Sequence, residues 1–501
     1  MSTLKKFAGQ TAIYGLSTIV ARLLNFILTP IYVSVYPAAV YGIFTTLFSY
    51  ASMINALLAF GMETTFFRFL SKHEDRKAEV YSNSFIVVAV LAITFLIFTV
   101  LFSDSIAHYL HNGKIAGIDD YVRFVKYFIY ILVADALSVV PFAKVRADGR
   151  PGRYGMIRLV NIFVFVALNL FFIYGVPFMI RHDFPGASTL SSFYRQGWIG
   201  YVFISNVIAS VVTFLMLIPE VLQIRPTFDQ KLFREMFRYS WPVLIANISF
   251  IINENVDKIF LSELLPADIS SLHVGIYGAC AKLAIFLSIF IQAFRLGAEP
   301  FFFSHAKNAN ARQTYARIMT FFIIAIAAIF IALVVNIEFL KYFIKGKDDT
   351  QKAIYWSGLD VVPVLLFGYV CLGVYINLSV WYKLSDQTRF GLYISAVGAI
   401  LTLVLNLIFI PKYSYMAAAW VSLIAYSTMM VVSYILGQRN YPIPYDVKKN
   451  LLYLLGAALI VFLSFYVIYR KLFIGNILFV IFLFTALFFE RKELSLIFRS
   501  K

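Results

Sequence analysis

The sequence predicts an all-α polytopic membrane protein, and three observations carry that prediction. Of the 501 residues, 61% are hydrophobic and only 14% are charged, and the mean hydropathy is +0.81. A soluble globular protein of this length cannot bury so much apolar surface. Many apolar runs reach about 20 residues, which is the length that crosses the hydrocarbon core of a bilayer. The runs are continuous rather than alternating, which excludes a transmembrane β-barrel and leaves helices.

The apolar runs predict about fourteen transmembrane helices. In chain order, we expect these spans at 6–35, 40–70, 78–102, 121–142, 154–179, 198–219, 239–261, 274–303, 315–336, 356–382, 390–410, 415–437, 447–469 and 472–490. No loop between the spans has the size of a catalytic domain.

The formal net charge is +17, and its distribution predicts the orientation of the chain. Lys and Arg concentrate in alternate loops, such as 143–153 and 220–240, whereas the loop 103–120 has Lys114 as its one Lys or Arg. The loop 337–355, with four lysines, is the exception. By the positive-inside rule, both termini are expected in the cytoplasm. We therefore attribute the positive charge to loop orientation and expect no nucleic-acid partner.

A segment of the second span recurs in the eighth span. Residues 40–72 close on GMETTFFRF, and residues 274–307 close on GAEPFFFSH. The matched positions are Gly42, Gly61, Glu63, Phe66 and Phe67 with Gly275, Gly297, Glu299, Phe302 and Phe303. Internal repeats of this size are typical of secondary transporters, whose substrate site lies between the halves.

The fifth and eleventh spans also match, through Arg153-Tyr154-Gly155 and Arg389-Phe390-Gly391 at their starts and Asn169 and Asn406 near their ends. We therefore predict an N-terminal lobe of helices one to six at 1–225 and a C-terminal lobe of helices seven to twelve at 226–440. Two appended helices and a cytoplasmic tail occupy 441–501. Because six is even, the two lobes are expected to have the same orientation.

Cations inside the spans are candidate substrate contacts, because a charge in the bilayer is costly unless it faces a partner, the bundle interior or a cavity. Arg22 lies in the middle of the first span, and Thr18, Asn25 and Thr29 share its helix face. This polar stripe predicts either an internal salt bridge or a cavity-lining cation for an anionic ligand. The candidate substrate-binding residues are Arg22, Asn25, Lys258, Lys282 and Arg295.

Carboxylates in the spans are candidates for coupling or gating. Asp257 in the seventh span and Asp135 in the fourth are candidate sites for a coupling cation or proton. The matched Glu63 and Glu299 are candidates for a symmetric inner gate, and equally for interface residues that sit in water. Glu254 and Lys258 are one turn apart in the favourable order for an intrahelical ion pair.

The sequence has no signature of catalysis or metal binding. GxxxxGK[ST] and HExxH are both missing. Cys280 and Cys371 lie in apolar runs and are expected as small core residues. His108 and His111 are expected as solvated loop side chains, with metal binding as the alternative. We predict a transporter rather than an enzyme, without a metal or bound cofactor, and with a proton or sodium gradient as the candidate energy source.

Several stretches resemble the bacterial polysaccharide-repeat-unit flippases of the multidrug/oligosaccharidyl-lipid/polysaccharide exporter superfamily. They are TPIYVSVYPAAVYGIF followed by GMETTFFRF, VRADGRPGRYG, ENVDKIFL, VGIYGACAKLA, QAFRLGAEPFFFS and NLSVWYKLSDQT. NLIFIPKYSYMAAAW is similar too, with Ser414 and Ala417 where the usual form of the family has glycines. These two departures are expected to stiffen or shift the corner between the eleventh and twelfth helices.

The resemblance implies a V-shaped pair of six-helix lobes with a central cationic cavity. It implies alternating-access transfer of undecaprenyl-diphosphate-linked oligosaccharide across the bacterial inner membrane, for surface polysaccharides such as the lipopolysaccharide O-antigen. Arg22 and Lys258 match the kind of positions that line such a cavity. The implied partners are the lipid-linked oligosaccharide and membrane lipids, with a polysaccharide polymerase and chain-length proteins as candidates.

Three alternatives stay open from the sequence. A lipid II flippase of peptidoglycan synthesis has the same two appended helices, so the span count does not separate it. A cation-coupled multidrug exporter is expected to have twelve spans and an acidic cavity, which disfavours it. A membrane polymerase or glycosyltransferase is expected to carry a large outer loop or a cytoplasmic domain, and this chain has neither.

Overall fold

The computed structural model describes residues 26–499, apart from 112, 115, 226, 307 and 386. Within these residues the regular structure is helical, and none of them lies in a strand. The helices in the first part of the chain are α1 Phe26–Val35, α2 Ala38–Ala59, α3 Met62–Lys72, α4 Lys77–Leu101, α5 Ser103–His111, α6 Ile118–Ala147, α7 Pro151–Leu170, α8 Val176–Arg181, α9 Ala187–Phe193, α10 Gly200–Met216, α11 Ile218–Val221, α12 Gln230–Leu264 and α13 Ala267–His305.

The later helices are α14 Ala311–Val335, α15 Ile337–Leu340, α16 Asp349–Trp356, α17 Val361–Leu378, α18 Val380–Leu384, α19 Arg389–Asn440, α20 Val447–Phe462 and α21 Leu472–Arg499. Short π-helical turns at Phe171–Gly175 and Leu463–Val467 extend α7 and α20.

Each predicted span coincides with an observed helix or helix pair. Among the described residues, ten helical stretches are long and apolar enough to cross a membrane, and α1 and α10 are shorter apolar helices. The second span is α2 with α3, and the eleventh and twelfth both lie in α19, which Ser414 interrupts with a non-helical backbone. The first span is described from Phe26 onwards. The predicted all-α polytopic fold is confirmed.

The surfaces of these helices suit a lipid environment. Large apolar side chains lie exposed along them, including Leu101 and Phe163 at 74% and Phe473 at 78% exposure. In water such side chains would cost about 25 cal/mol for each Å² of apolar surface left exposed. In a bilayer the lipid tails cover them, so their exposure agrees with the predicted spans.

The chain divides into two compact units, Met1–Gly275 and Ile276–Lys501. The division falls inside α13, so α12 belongs to the first unit, although the sequence repeat assigns the seventh helix to the second lobe. Within the first unit α12 packs along α2 and α3. The lobe boundaries at 225 and 440 describe the repeat and stay a prediction.

Aromatic side chains join α2, α6 and α10 in the core of the first unit. The rings of Phe48 and Phe128 lie 5.1 Å apart in an edge-to-face contact, and Phe128 lies 5.0 Å from Phe203. Such ring pairs contribute about 0.5–1.5 kcal/mol beyond the area that they bury. They fix the three helices that surround the intramembrane polar residues described below.

The N-terminus of α12 is fixed to the first-unit helices by Asp229. The Asp229 carboxylate caps the helix by accepting from the Lys231 and Leu232 amides at 2.8 and 2.9 Å. It also pairs with Arg76, and its backbone exchanges two hydrogen bonds with the Asn83 side chain. The Leu232 amide and Arg76 together hold the pKa of the Asp229 carboxyl below its usual value. The capped end anchors α12 beside α4.

The second span breaks at its repeat-matched glycine. Phe60 and Gly61 adopt left-handed backbone conformations, with φ of 48° and 64°, which end α2 and begin α3. A Cβ on Gly61 would lie 3.0 Å from Val243 and 3.1 Å from the Ser240 carbonyl oxygen. The matched Gly297 lies inside the continuous helix α13, with open space around its Cβ position. Equivalent sequences thus adopt two different backbone paths.

In the second unit, α17 packs against α19 and is buried along almost its whole length. The adjoining core includes Trp381 and Tyr382 of α18 and Tyr426 of α19. The two appended helices are joined through Glu490 of α21, which is 3% exposed. Its carboxylate accepts from the Tyr453 hydroxyl at 2.8 Å and lies 2.6 Å from the Lys449 ammonium of α20.

Candidate transport site

The polar stripe predicted on the first span, with Arg22 and Asn25, lies outside the described residues. Of the remaining candidates, Asp135, Glu63, Asp257 and Lys258 belong to the first unit. Lys282, Arg295 and Glu299 belong to the second unit, on α13. The two groups are therefore described separately.

In the first unit, α12 brings Asp257 and Lys258 together. The Lys258 ammonium donates to Asp257 Oδ1 at 2.9 Å and to the Glu254 backbone carbonyl oxygen at 2.7 Å. The side chain of Asp257 is 5% exposed and that of Lys258 is 18% exposed. The predicted ion pair between Glu254 and Lys258 is therefore wrong, because the lysine side chain folds onto the neighbouring aspartate. Glu254 supplies its carbonyl group instead of its carboxylate.

A second polar cluster lies among α2, α6, α7 and α10. The Asp135 carboxylate on α6 has the polar side chains of Asn55 on α2 and Ser210 on α10 as neighbours. The positive charge of Arg158 on α7 attracts the carboxylate. These groups offset part of the cost that burial imposes on an ionised carboxylate inside a helix bundle. The cluster therefore surrounds Asp135 with two neutral polar side chains and one cation.

Arg158 is a residue that the sequence analysis missed. Its guanidinium lies 4.9 Å from the ring centroid of Phe142 and 5.6 Å from that of Tyr154. Both distances fall within the range of a cation–π contact. The side chain is exposed on the surface of the first unit. Its position four residues after the start of the predicted fifth span was the available signal, since a cation inside a span indicates function.

The repeat-matched glutamates each have a basic partner within their own unit. Glu63 of α3 pairs with Arg146 at the end of α6 in the first unit. In the second unit Glu299 accepts from Arg295 of the same helix at 3.0 Å and pairs with Lys383 of α18. Glu63 therefore joins the second span to the fourth span, and Glu299 joins the corresponding eighth and tenth spans. The predicted role of the pair as an inner gate stays a prediction.

Lys282 and Arg295 occupy the same long helix. Lys282 is half-buried, while the Arg295 side chain is 48% exposed and carries the bond to Glu299. Cys280, two residues before Lys282, is buried and free, as is Cys371, which confirms their prediction as core residues. Among the residues that the structure describes, no three His, Cys, Asp or Glu side chains form a group that could hold a metal ion.

Solved transporters, among them one of the multidrug/oligosaccharidyl-lipid/polysaccharide exporter superfamily, have a fold similar to that of this chain. The lipid II flippase MurJ, in an inward closed conformation, aligns with a TM-score of 0.69 at 14% identity, over 96% of this chain and 99% of that one. An inward-facing MATE multidrug resistance transporter of the superfamily aligns with a TM-score of 0.64 at 13% identity, over 84% and 94%. At these identities the likeness shows the fold alone.

The sequence comparison identifies the family within that class. The family described as polysaccharide biosynthesis protein matches residues 7–304, and the MatE family matches residues 242–408. The first of these matches covers more than half of the chain, so the chain belongs to the polysaccharide biosynthesis protein family. An uncharacterized membrane protein of Methanocaldococcus jannaschii is 20% identical over 457 residues, which cover 86% of this chain and 84% of that protein.

Proposed function

We propose that the protein is a flippase that moves undecaprenyl-diphosphate-linked oligosaccharide repeat units from the cytoplasmic to the outer leaflet of the bacterial inner membrane. It would work by alternating access and supply surface polysaccharide synthesis, as for the lipopolysaccharide O-antigen. The observation that carries this proposal is the family match over residues 7–304. A polysaccharide polymerase and chain-length proteins are the proposed partners that take over the product.

The cations of the spans suit the diphosphate of such a substrate. Guanidinium and ammonium groups form charge-assisted hydrogen bonds with phosphate oxygens. Arg158 supplies a guanidinium that already lies on two aromatic rings, and Lys258 supplies an ammonium. We assign the same role to Arg22, Asn25, Lys282 and Arg295. Nearby aromatic faces suit sugar rings.

The pairing of Lys258 with Asp257 suggests how binding is coupled to an ion gradient. A phosphate that accepts from the Lys258 ammonium competes with Asp257 for it. Asp257 then loses that counter-charge, and we assign the coupling proton or sodium ion to its carboxylate. Asp135, with its neutral hydrogen-bonding neighbours, is the second proposed carrier.

Reconstituted vesicles test the substrate. We expect the purified protein to transfer a fluorescent undecaprenyl-diphosphate oligosaccharide between leaflets, measured as its accessibility to an impermeant quencher. Lys258→Met and Arg158→Met should each slow transfer about tenfold or more, because a hydrogen bond to a charged group is worth about 1.5–3 kcal/mol. Lys352→Met, at an ion pair within the short helix α16, is the matched control and should retain the wild-type rate.

Lipid II is the second candidate substrate, because the lipid II flippase MurJ aligns over 96% of this chain, whereas the MATE transporter aligns over 84% of it. The same vesicles should carry lipid II or a cationic dye in separate experiments. Transfer of lipid II in preference to the oligosaccharide lipid would replace the proposal with the peptidoglycan alternative. Transfer of the dye alone would make the protein a drug exporter.

A further inference from the structure

Lys114 is buried, although the sequence places it in an outer loop. Its side chain is only 3% exposed. The ammonium donates to Ser262 Oγ at 2.8 Å and to Glu263 Oε1 at 3.2 Å, at the C-terminal end of α12. Nothing in the loop sequence predicts this, because the partners lie far along the chain. The loop between α5 and α6 is thus joined to the end of α12.

Further polar groups surround this ion pair. Ser262 donates to Glu263 at 3.2 Å, and Tyr50 of α2 has Glu263 and Tyr109 of α5 as hydrogen-bonding neighbours. A cavity of about 10 Å³ lies beside Lys114, the size of one water molecule, and is lined by residues that include Thr46, Tyr121 and Ser271. The pair therefore sits in a polar pocket within the first unit.

Two repeat-matched glycines meet within the first unit, at Ser271, which lines the same cavity as Lys114. A Cβ on Gly42 would lie 1.8 Å from the Ser271 carbonyl oxygen, and a Cβ on Gly275 would lie 1.8 Å from the Ala38 carbonyl oxygen. The contacts are reciprocal, since each glycine meets the carbonyl four residues before the other. The start of α2 and the start of α13 are therefore in direct backbone contact, which only glycine permits.

The buried pair adds little net stability, since apolar residues of similar volume are often as stabilising as a buried ion pair. Loss of one partner, by contrast, is strongly destabilising. Water would solvate both charges well if the two side chains separated. The side chains of an apolar contact of the same area would be poorly solvated if they separated.

We propose that Lys114 and Glu263 form a latch that holds the loop between α5 and α6 against the C-terminal end of α12, and so keeps closed the neighbouring seam, which is the contact of Gly42 on α2 with Ser271 and Gly275 at the start of α13. The glycine contact brings the backbones of α2 and α13 together at the seam. The latch opens when the outer side of the transport path opens. This inference rests on the proposed function for the direction of transport and for which end is outer. Lys114 is a positioning residue in this scheme and does not touch the substrate.

Thiol labelling tests the latch without any substrate. Ser271→Cys, at a position 3% exposed in the seam, is placed in a chain whose Cys280 and Cys371 are replaced by alanine. Labelling by a membrane-impermeant maleimide is measured from the outer side of intact cells. We expect slow labelling with Lys114 present and at least about tenfold faster labelling with Lys114→Met, because the unpaired Glu263 destabilises the closed seam.

Three controls make the result specific. Ser138→Cys, buried in α6 away from the seam, should stay protected in the Lys114→Met protein. The exchange of charges in Lys114→Glu with Glu263→Lys should restore slow labelling of Ser271→Cys. Glu263→Gln, a milder change in case Lys114→Met does not fold, should also speed labelling.

Unchanged labelling of Ser271→Cys in both single variants would overturn the latch. A parallel rise at Ser138→Cys would also overturn it, since Lys114 would then act only in general stability. Either result leaves the flippase proposal standing, because the labelling does not involve transport. Conversely, a failure of oligosaccharide transfer in vesicles leaves the labelling result unaffected.

Discussion

At the scale of single residues, Ser414 occupies a backbone conformation that normally belongs to glycine. Its φ of 52° and ψ of −137° interrupt α19, in a region that an L side chain enters at a cost of about 1–3 kcal/mol. The resemblance to the flippase family indicates glycine here, and the structure gives the physical reason. Ala417, the other departure, lies buried in regular helix and carries no such strain.

Replacing this serine tests the strain. We expect Ser414→Gly to stabilise the protein by about 1 kcal/mol, because glycine adopts this conformation without a steric penalty. The midpoint of denaturant unfolding in detergent micelles measures the change. Ser414→Ala keeps the Cβ and should give no gain. An equal gain from both variants would show that the hydroxyl, and not the backbone, is the source.

At the scale of elements, the repeat-matched stretches have similar ion pairs and different backbones. Glu63 with Arg146, and Glu299 with Lys383, join equivalent helices of each repeat. In α13, however, Arg295 also pairs with Glu299 across Gly297, and this spacing needs an unbroken helix. Residue 59, at the place equivalent to Arg295, is alanine. The missing cation agrees with the break between α2 and α3.

The two glycines should respond in opposite directions to the same substitution. Gly61→Ala should destabilise the protein by about 1–2 kcal/mol, because alanine resists the left-handed conformation and its Cβ crowds Val243. Gly297→Ala should stabilise it by about 0.5–1 kcal/mol, because it removes a glycine from a helix interior with open space around it. Thermal unfolding in detergent measures both. The same sign for the two variants would contradict the structure.

At the scale of the whole molecule, the chain combines apolar helices that face lipid with a few charged clusters inside them. Lys258, for example, pairs with Asp257, and Asp135 has Ser210 and Arg158 among its polar neighbours. Charges kept at such depth indicate function, because a bilayer penalises them without a compensating role. This is why the proposed energy source is assigned to the carboxylates of these clusters.

Dissipating each gradient separately tests that assignment. We expect transfer of the oligosaccharide lipid in energised vesicles to fall about tenfold or more when the coupling gradient, of protons or of sodium, is collapsed, since about 1.4 kcal/mol of lost driving force is tenfold. Asp257→Asn should slow transfer and abolish its dependence on that gradient, while Asp268→Asn, at the start of α13, should keep it. Insensitivity to both gradients would remove Asp257 from the coupling role.

The sequence by itself determined the helical membrane fold, the approximate spans, the repeat and the family resemblance. These depend on local composition and on order along the chain, which a bilayer translates directly into helices. The sequence showed which charged residues lie in the spans, but it did not show which residues they contact. Lys258 was therefore paired with Glu254 instead of Asp257, and Arg158 was overlooked. The burial of Lys114 could not be predicted from the sequence either.

Only the tertiary structure decided the partners that come from segments far apart in the chain. Lys114 meets Glu263, Glu63 meets Arg146, and Gly42 meets Gly275. Helix periodicity predicts which face of a helix is polar. The residues that this face contacts depend on how the helices pack. For the same reason one sequence motif gave a break at Gly61 and a straight helix at Gly297, since the surrounding contacts and charges differ.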